Sequence, residues 1–116
     1  MNAIIRVADV IENAFSSNQA EILKEEMQKY LDENREVCLD FDGIDKFTTL
    51  FFNFSTGYFI SKLGKEKYNR LVTLKNLTNL GKSTYNNSYN NAIRDDYENA
   101  VIENKIIDIL KNPDEV

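Results

Sequence analysis

The chain has 116 residues, of which 42% are hydrophobic and 28% charged, so one domain can close a core without metal or disulfide bonds. Its 14 basic and 19 acidic residues give a net charge of −5, which argues against sequence-independent binding to nucleic acid or anionic lipid. The sequence has no histidine, which excludes imidazole bases, Ser-His and Cys-His nucleophile pairs and most zinc sites. We expect one domain over residues 1–112, a frayed acidic tail over 113–116, and no cofactor.

The apolar segments are too short to cross a membrane, since none approaches the run of about 18 apolar residues that a span requires. The opening segment carries Asp9 and Glu12 inside its apolar run and lacks a small-residue cleavage site, which favours a strand over a signal peptide. Cys38 is the single cysteine, so there is no disulfide framework, and we expect a buried, inert thiol. A cytoplasmic location fits these features best, with no membrane partner.

The first third of the chain predicts a strand and then a helix. Residues Ala3 to Ile11 are rich in β-branched side chains and predict a short strand. Ser16 and Gln19 have the spacing of a capping box, and the apolar residues that follow recur at helical spacing. We therefore predict a helix from Ser17 to Glu33.

The centre of the chain predicts a buried strand, a turn and a second helix. Val37, Leu39 and Phe41 alternate with other residues as in a strand, and Asp42-Gly43 predicts a turn. The stretch from Thr48 to Leu63 suits a strand by propensity and a buried helix by length and spacing, and we predict the helix. Within it, Gly57 should permit close packing on the sheet. Most aromatic rings here should lie in the core, with one or two exposed: Phe47, Phe51, Phe52, Phe54, Tyr58 and Phe59.

The remainder predicts a third strand and more helix. Gly64 should end the second helix, a polar turn should cover Lys65 to Asn69, and Arg70 to Leu74 should form the third strand. Helical spacing continues through Tyr89, but the asparagine-rich run 86–91 is a weak helix former, so one late-starting helix and two helices both remain open. The order is β-α-β-α-β-α, which favours parallel pairing. The predicted fold class is α/β, with a small sheet of three to four mostly parallel strands and helices packed against it.

Three carboxylates, Asp40, Asp42 and Asp45, follow the central strand at the end where α/β proteins bind ligands. The run L-D-F-D-G is close to the D-x-D-G opening of haloacid-dehalogenase-type phosphatases, which would make Asp40 the nucleophile and Asp42 the general acid beside magnesium. Lys82 and the pair Asp95-Asp96 could supply that family's later lysine and metal-binding acids. However, Ile44 replaces the usual Thr or Val, the motif follows the second strand, and the chain is too short for the full sheet.

The alternative to phosphatase chemistry is that Asp42 and Asp45 shape the turn by accepting hydrogen bonds from backbone N–H groups. We expect no enzyme and no metal.

A longer stretch, V-C-L-D-F-D-G-I-D-K-F-T-T-L-F-F-N, resembles the STAS-like family, α/β domains related to anti-sigma-factor antagonists. It contains a buried strand ending in D-F-D-G-I, a short turn, and two hydroxyl residues that open an aromatic-rich helix. The later strand ending at Asn76 fits as well. The chain looks most like a branch of unknown function found in bacterial and phage genomes, often encoded beside histidine-kinase-type ATPases.

The resemblance implies a non-catalytic, regulatory domain that binds a protein, such as a histidine-kinase-type ATPase, and is switched by phosphorylation. Thr49 matches the antagonists' phospho-acceptor serine, and Thr48, the second candidate acceptor, stands where their aspartate does. Thr48 also has the chemistry of a helix N-cap, and the tendency of Ser and Thr to cap at such positions favours this interpretation over regulation. The partner-binding surface implied is the turn and the start of the helix, with Asp42, Asp45, Lys46 and Asn53. An acidic phage or mobile-element inhibitor of a nucleic-acid enzyme is the alternative, and the oligomeric state is open.

Overall fold

A computed structural model describes residues 2–94 of the chain. Three short strands, β1 (Ala3–Arg6), β2 (Val37–Asp40) and β3 (Val72–Lys75), form one sheet in the order β1-β2-β3. Both pairings are parallel, and the register sets Arg6, Asp40 and Lys75 side by side in one row. The predicted α/β class with a small parallel sheet is therefore confirmed, with three strands in the described part of the chain.

Helices connect and cover these strands. In chain order they are α1 (Val7–Val10), α2 (Ser17–Leu31), α3 (Thr49–Phe54), α4 (Thr56–Leu63), α5 (Lys65–Leu71) and α6 (residues 79–94). Within residues 2–94, no helix combines the length and apolar character needed to cross a membrane. The weak helix-forming run 86–91 lies inside α6, while Asp95, Asp96 and the acidic tail 113–116 lie outside the described residues.

The first strand is shorter than predicted. β1 ends at Arg6, and residues Val7–Val10 form a helical turn instead of continuing the strand to Ile11. The reason lies in the neighbouring strand, because Arg6 pairs with Asp40, the last residue of β2. After Asp40 the chain turns through Gly43, whose φ is 90°. A longer β1 would have no strand beside it.

The predicted second helix is two helices with a break at Ser55. The Ser55 hydroxyl donates to the Phe51 carbonyl at 2.9 Å, and the Thr56 hydroxyl donates to the Phe52 carbonyl at 3.3 Å. Such bonds from Ser or Thr to the carbonyl four residues earlier bend helices. The backbone at Ser55 leaves the helical region (φ −110°, ψ −90°), so α4 starts at Thr56 in a new direction.

Two further details of this region differ from the sequence-based predictions. A Cβ on Gly57 would lie 3.5 Å from the Ser88 hydroxyl, so Gly57 allows close approach of α6 and not of the sheet. Gly64 does end α4, with φ 85°, but the predicted turn after it is α5, which buries Tyr68 and Leu71. Its residues are mostly good helix formers, and β3 consequently starts at Val72.

The core lies on one face of the sheet. Ala3, Ile5, Val37, Leu39 and Val72 are buried, whereas their neighbours on the other face are half-buried or exposed, Ile4 to 62%. Cys38 belongs to that second face and is half-buried, so the predicted full burial of its thiol is wrong. The buried face packs against an aromatic cluster in which Phe52 lies within 6 Å of the rings of Phe41, Phe47, Phe51 and Tyr85.

Candidate functional site

The acidic end of β2 is built around Asp40. Its Oδ1 accepts a hydrogen bond from the Asn76 amide at 2.9 Å and another from the Asp42 backbone N–H at 3.0 Å. These two bonds, the one from Asn76 first, hold the pKa of the Asp40 carboxyl below its ordinary value. Asp40 therefore links the ends of β2 and β3 and shapes the turn, because Asn76 directly follows β3.

Asp42 and Asp45 lie on this turn but do not shape it as predicted. Within residues 2–94 neither carboxylate accepts a backbone N–H bond, since that role falls to Asp40. Both side chains are exposed, as is Lys46, which forms no ion pair with the described carboxylates. Three charged groups are thus displayed in solvent immediately before α3.

The residues suggested for phosphatase chemistry are only partly described. Asp40 ends β2 and Asp42 follows on the turn, two residues later as in the motif, and Lys82 lies on α6. Among residues 2–94, no group of three or more acidic or cysteine side chains could hold a metal ion. Asp95 and Asp96, the suggested metal-binding acids, are outside the described residues.

Thr48 and Thr49 differ sharply in what they contact. The Thr48 hydroxyl accepts from the Phe51 N–H at 3.1 Å and donates to the Phe15 carbonyl at 2.8 Å, so it caps α3 and ties it to the start of α2. Thr49 is the first residue of α3, is half-buried, and its hydroxyl makes no hydrogen bond within residues 2–94. The N-cap interpretation of Thr48 is confirmed. Of the two threonines, Thr49 is the one whose hydroxyl makes no hydrogen bond to the described residues.

The double contact of Thr48 predicts that Thr48→Ala lowers the free energy of unfolding by about 1–2 kcal/mol, the usual cost of losing a helix cap. Thr49→Ala, one residue later, removes no hydrogen bond and should change stability by less than about 0.5 kcal/mol. Urea unfolding followed by circular dichroism measures both. Equal losses for the two variants would contradict the assignment of the cap.

A stripe of exposed apolar side chains follows the turn. Leu50, Phe54 and Tyr58 are spaced four residues apart along α3 and α4, and 48%, 50% and 38% of their respective surfaces are exposed. The prediction that one or two aromatic rings are exposed is thus confirmed for Phe54 and Tyr58. Two lysines, Lys24 and Lys62, lie 4.4 Å and 5.6 Å from the centre of the Tyr58 ring.

Beside this stripe lies an open groove of about 520 Å³ between α2 and α4, which we call the α2–α4 groove. Its lining residues are Glu21, Lys24, Asn53, Phe54, Gly57, Tyr58, Ser61 and Lys62. Asn53, predicted to bind a partner, is exposed here, and its side-chain oxygen accepts from the Ser88 hydroxyl at 2.6 Å. The structure thus places Asn53 in the groove and the acidic turn at the start of α3.

The sequence-based prediction missed the α2 side of this surface. Glu21 and Lys24, on α2, were not among the predicted site residues, and they form an ion pair at 3.2 Å in the groove wall. The spacing of Leu50, Phe54 and Tyr58 was a visible signal, since these residues alternate with the buried Phe51, Phe52 and Phe59.

The described residues form a small α/β domain whose parallel sheet has its core on one face. An exposed turn and the start of a helix follow its central strand. The STAS-like domain of unknown function (DUF4325) matches residues 19–82, from α2 into the start of α6. This is more than half of the chain, and the chain belongs to that family. Neither a curated protein nor a solved structure matches it significantly.

Proposed function

We propose that this chain is a non-catalytic regulatory domain of the cytoplasm that binds another protein through the acidic turn and the exposed faces of α3 and α4. The observation that carries the proposal is the apolar stripe Leu50, Phe54 and Tyr58, which lies beside the α2–α4 groove. Exposed apolar side chains rimmed by polar groups are typical of protein-binding surfaces. Asn53 and the lysines around Tyr58 provide such a rim.

The turn supplies the charged part of the same surface. Asp42, Asp45 and Lys46 are exposed and free of ion pairs within residues 2–94, so they are available to a partner. The family resemblance suggests a partner of bacterial or phage origin such as a histidine-kinase-type ATPase. No feature of the described residues favours the alternative inhibitor of a nucleic-acid enzyme.

Thr49 is our first choice of a phosphorylation site in this proposal, and Thr48 the second. Modification of Thr48 would displace the Phe51 N–H and the Phe15 carbonyl from its hydroxyl, whereas Thr49 has no such bonds to lose. A phosphate on Thr49 would add up to about two negative charges near Asp42 and Asp45 and next to exposed Leu50. It would alter the binding surface while leaving the cap of α3 intact.

The proposal predicts that Phe54→Ala and Thr49→Glu each weaken binding of a partner isolated from the native host by about five- to thirtyfold, equivalent to about 1–2 kcal/mol. Binding should be measured by isothermal titration with the purified partner. Ile22→Ala is the matched control, because Ile22 is 42% exposed on α2 but does not line the groove.

The melting temperatures of Phe54→Ala and Thr49→Glu should stay close to that of the wild type, since neither side chain is in the core. Asp45→Lys and Lys46→Glu test the turn in the same assay. If the partner binds all of these variants as tightly as Ile22→Ala, the surface is wrongly assigned. If only Thr49→Glu behaves like the wild type, binding stands and the switch is absent.

A further inference from the structure

A second groove lies along β3, at the outer edge of the sheet that residues 2–94 form. Among residues 2–94, β3 is an edge strand, and an open groove of about 370 Å³, the β3–α6 groove, runs between it and α6. One wall is continuous chain from Val72 to Leu77. The other wall is one face of α6, with Lys82, Tyr85 and Asn86 at helical spacing.

The backbone of β3, which lines this groove, has hydrogen-bonding groups that point away from β2. The Lys75 carbonyl accepts from the Phe41 N–H at 3.0 Å, so the peptide groups of Lys75 face β2. Because successive residues of a strand face opposite sides, the N–H and C=O of Leu74 point away from β2. The Val72 N–H, which faces the same way as Leu74, bonds the Tyr68 carbonyl of α5. No described residue outside the sheet bonds the peptide groups of Leu74.

The charge of this groove differs from that of the chain as a whole. The charged residues that line it within the described part of the chain are Lys75 and Lys82, both positive, although the chain carries a net charge of −5. Lys75 lies 3.9 Å from Asp40 but keeps about half of its side chain exposed, and Lys82 is exposed. Between the lysines, Leu77 and Tyr85 form a partly buried apolar floor. An extended segment with alternating acidic and apolar side chains would match both the positive charge of the lysines and the apolar floor.

We propose that the β3–α6 groove binds an extended acidic segment of a partner protein, which adds to the sheet as a fourth strand beside β3. In this mode of recognition, main-chain hydrogen bonds to the free edge supply affinity, and the groove walls select alternate side chains. The inference is independent of the surface on α3 and α4. A second copy of β3 is a poorer occupant, since pairing two such edges would bring like-charged lysines together.

The direct test is amide hydrogen exchange of the full chain, followed by NMR, with a short synthetic peptide that alternates valine and glutamate. At saturating peptide, exchange of the Leu74 amide should slow by about tenfold, as for a newly formed hydrogen bond. The amides of Thr73 and Lys75 should change little because they already face β2. The same peptide with lysine in place of glutamate should give no protection.

Two variants and a control sharpen the test. Lys82→Glu should weaken binding of the valine-glutamate peptide by about tenfold, because it reverses the charge of the groove wall. Leu74→Pro removes the outward N–H and should also abolish binding, while the β2 ladder stays intact because edge strands tolerate proline there. Lys65→Glu is the matched charge reversal, since Lys65 is exposed on α5 outside the groove, and it should bind like the wild type.

Four results would overturn the proposal. The lysine peptide could bind equally well, or Lys82→Glu and Lys65→Glu could bind the acidic peptide alike. The Leu74 amide could be protected in the dilute free protein, which would mean that the chain fills its own groove. Its protection could instead rise with protein concentration, which would identify a second copy as the occupant. None of these results bears on Phe54→Ala, so the two proposals fail separately.

Discussion

Phe52→Ala should lower the free energy of unfolding by about 3–5 kcal/mol, a large share of the roughly 5–15 kcal/mol that stabilises a typical domain. Phe52 is fully buried and its ring is the common neighbour of four other aromatic rings. It connects the end of β2 through Phe41, the chain before α3 through Phe47, and α6 through Tyr85. Truncation would leave a cavity between three parts of the fold that cannot all move inward.

The matched control is Phe54→Ala, the same substitution two residues later on the same helix. Half of the Phe54 side chain is exposed, so its removal should cost less than about 1 kcal/mol. Urea unfolding of both variants gives the comparison, with the dependence on urea concentration checked for a change in slope. Equal losses, or a loss below about 1.5 kcal/mol for Phe52→Ala, would mean that Phe52 is not the hub of the core.

The central strand and the start of α2 show which features the sequence could predict. Apolar alternation located β2, because Val37, Leu39 and Phe41 are all buried. The capping pattern located the start of α2, where the Ser16 hydroxyl accepts from the Gln19 N–H at 3.2 Å. Local signals of this kind depend on neighbouring residues alone. They were sufficient for the fold class and for the position of the strand that carries the turn.

Features that arise from residues far apart in the sequence were not predictable in this way. The bond between Asp40 and Asn76 spans 36 residues, so no local pattern indicated that Asp40 links the ends of β2 and β3. One local feature was missed as well: the break at Ser55 depends on hydroxyl bonds to carbonyls four residues earlier, which the spacing of apolar residues does not reveal. The α2–α4 groove likewise is lined by residues of α2, α3 and α4, and β2 and its turn separate α2 from the other two helices in the sequence.

A pair of tyrosines, Tyr68 and Tyr85, should make the protein lose stability in alkaline solution. Their hydroxyls are hydrogen-bonded at 2.7 Å between α5 and α6. Burial raises the pKa of Tyr85 to about 12, against the lowering effect of the bond from Tyr68. Burial is also the main reason why the pKa of Tyr68 lies well above its ordinary value, with the neighbouring Tyr85 adding to it. Neither hydroxyl can ionise easily while the two helices remain packed.

The sign of the effect follows from the protons bound in each state. Tyrosine in the unfolded chain loses its proton near pH 10, whereas Tyr85 in the folded chain keeps it up to about pH 12. Between these values the folded state binds more protons, so the free energy of unfolding falls as the pH rises. A shift of two pKa units corresponds to a loss on the order of 2–3 kcal/mol across this interval. Since the two hydroxyls titrate as a coupled pair, the loss belongs to the pair.

Urea unfolding at a series of pH values above neutrality should therefore show a fall in stability that is shallower in Tyr85→Phe, where Tyr68 alone of the pair remains to titrate. Tyr58→Phe is the control: it removes a hydroxyl from a partly exposed ring and should reproduce the wild-type fall. Both variants keep the surface ion pairs Lys24–Glu21 and Lys29–Glu26, so these pairs contribute equally to the two series. Comparing slopes between the variants cancels that contribution and any constant loss from the missing bond to Tyr68. Parallel slopes in the two variants would mean that the buried pair does not control alkaline unfolding.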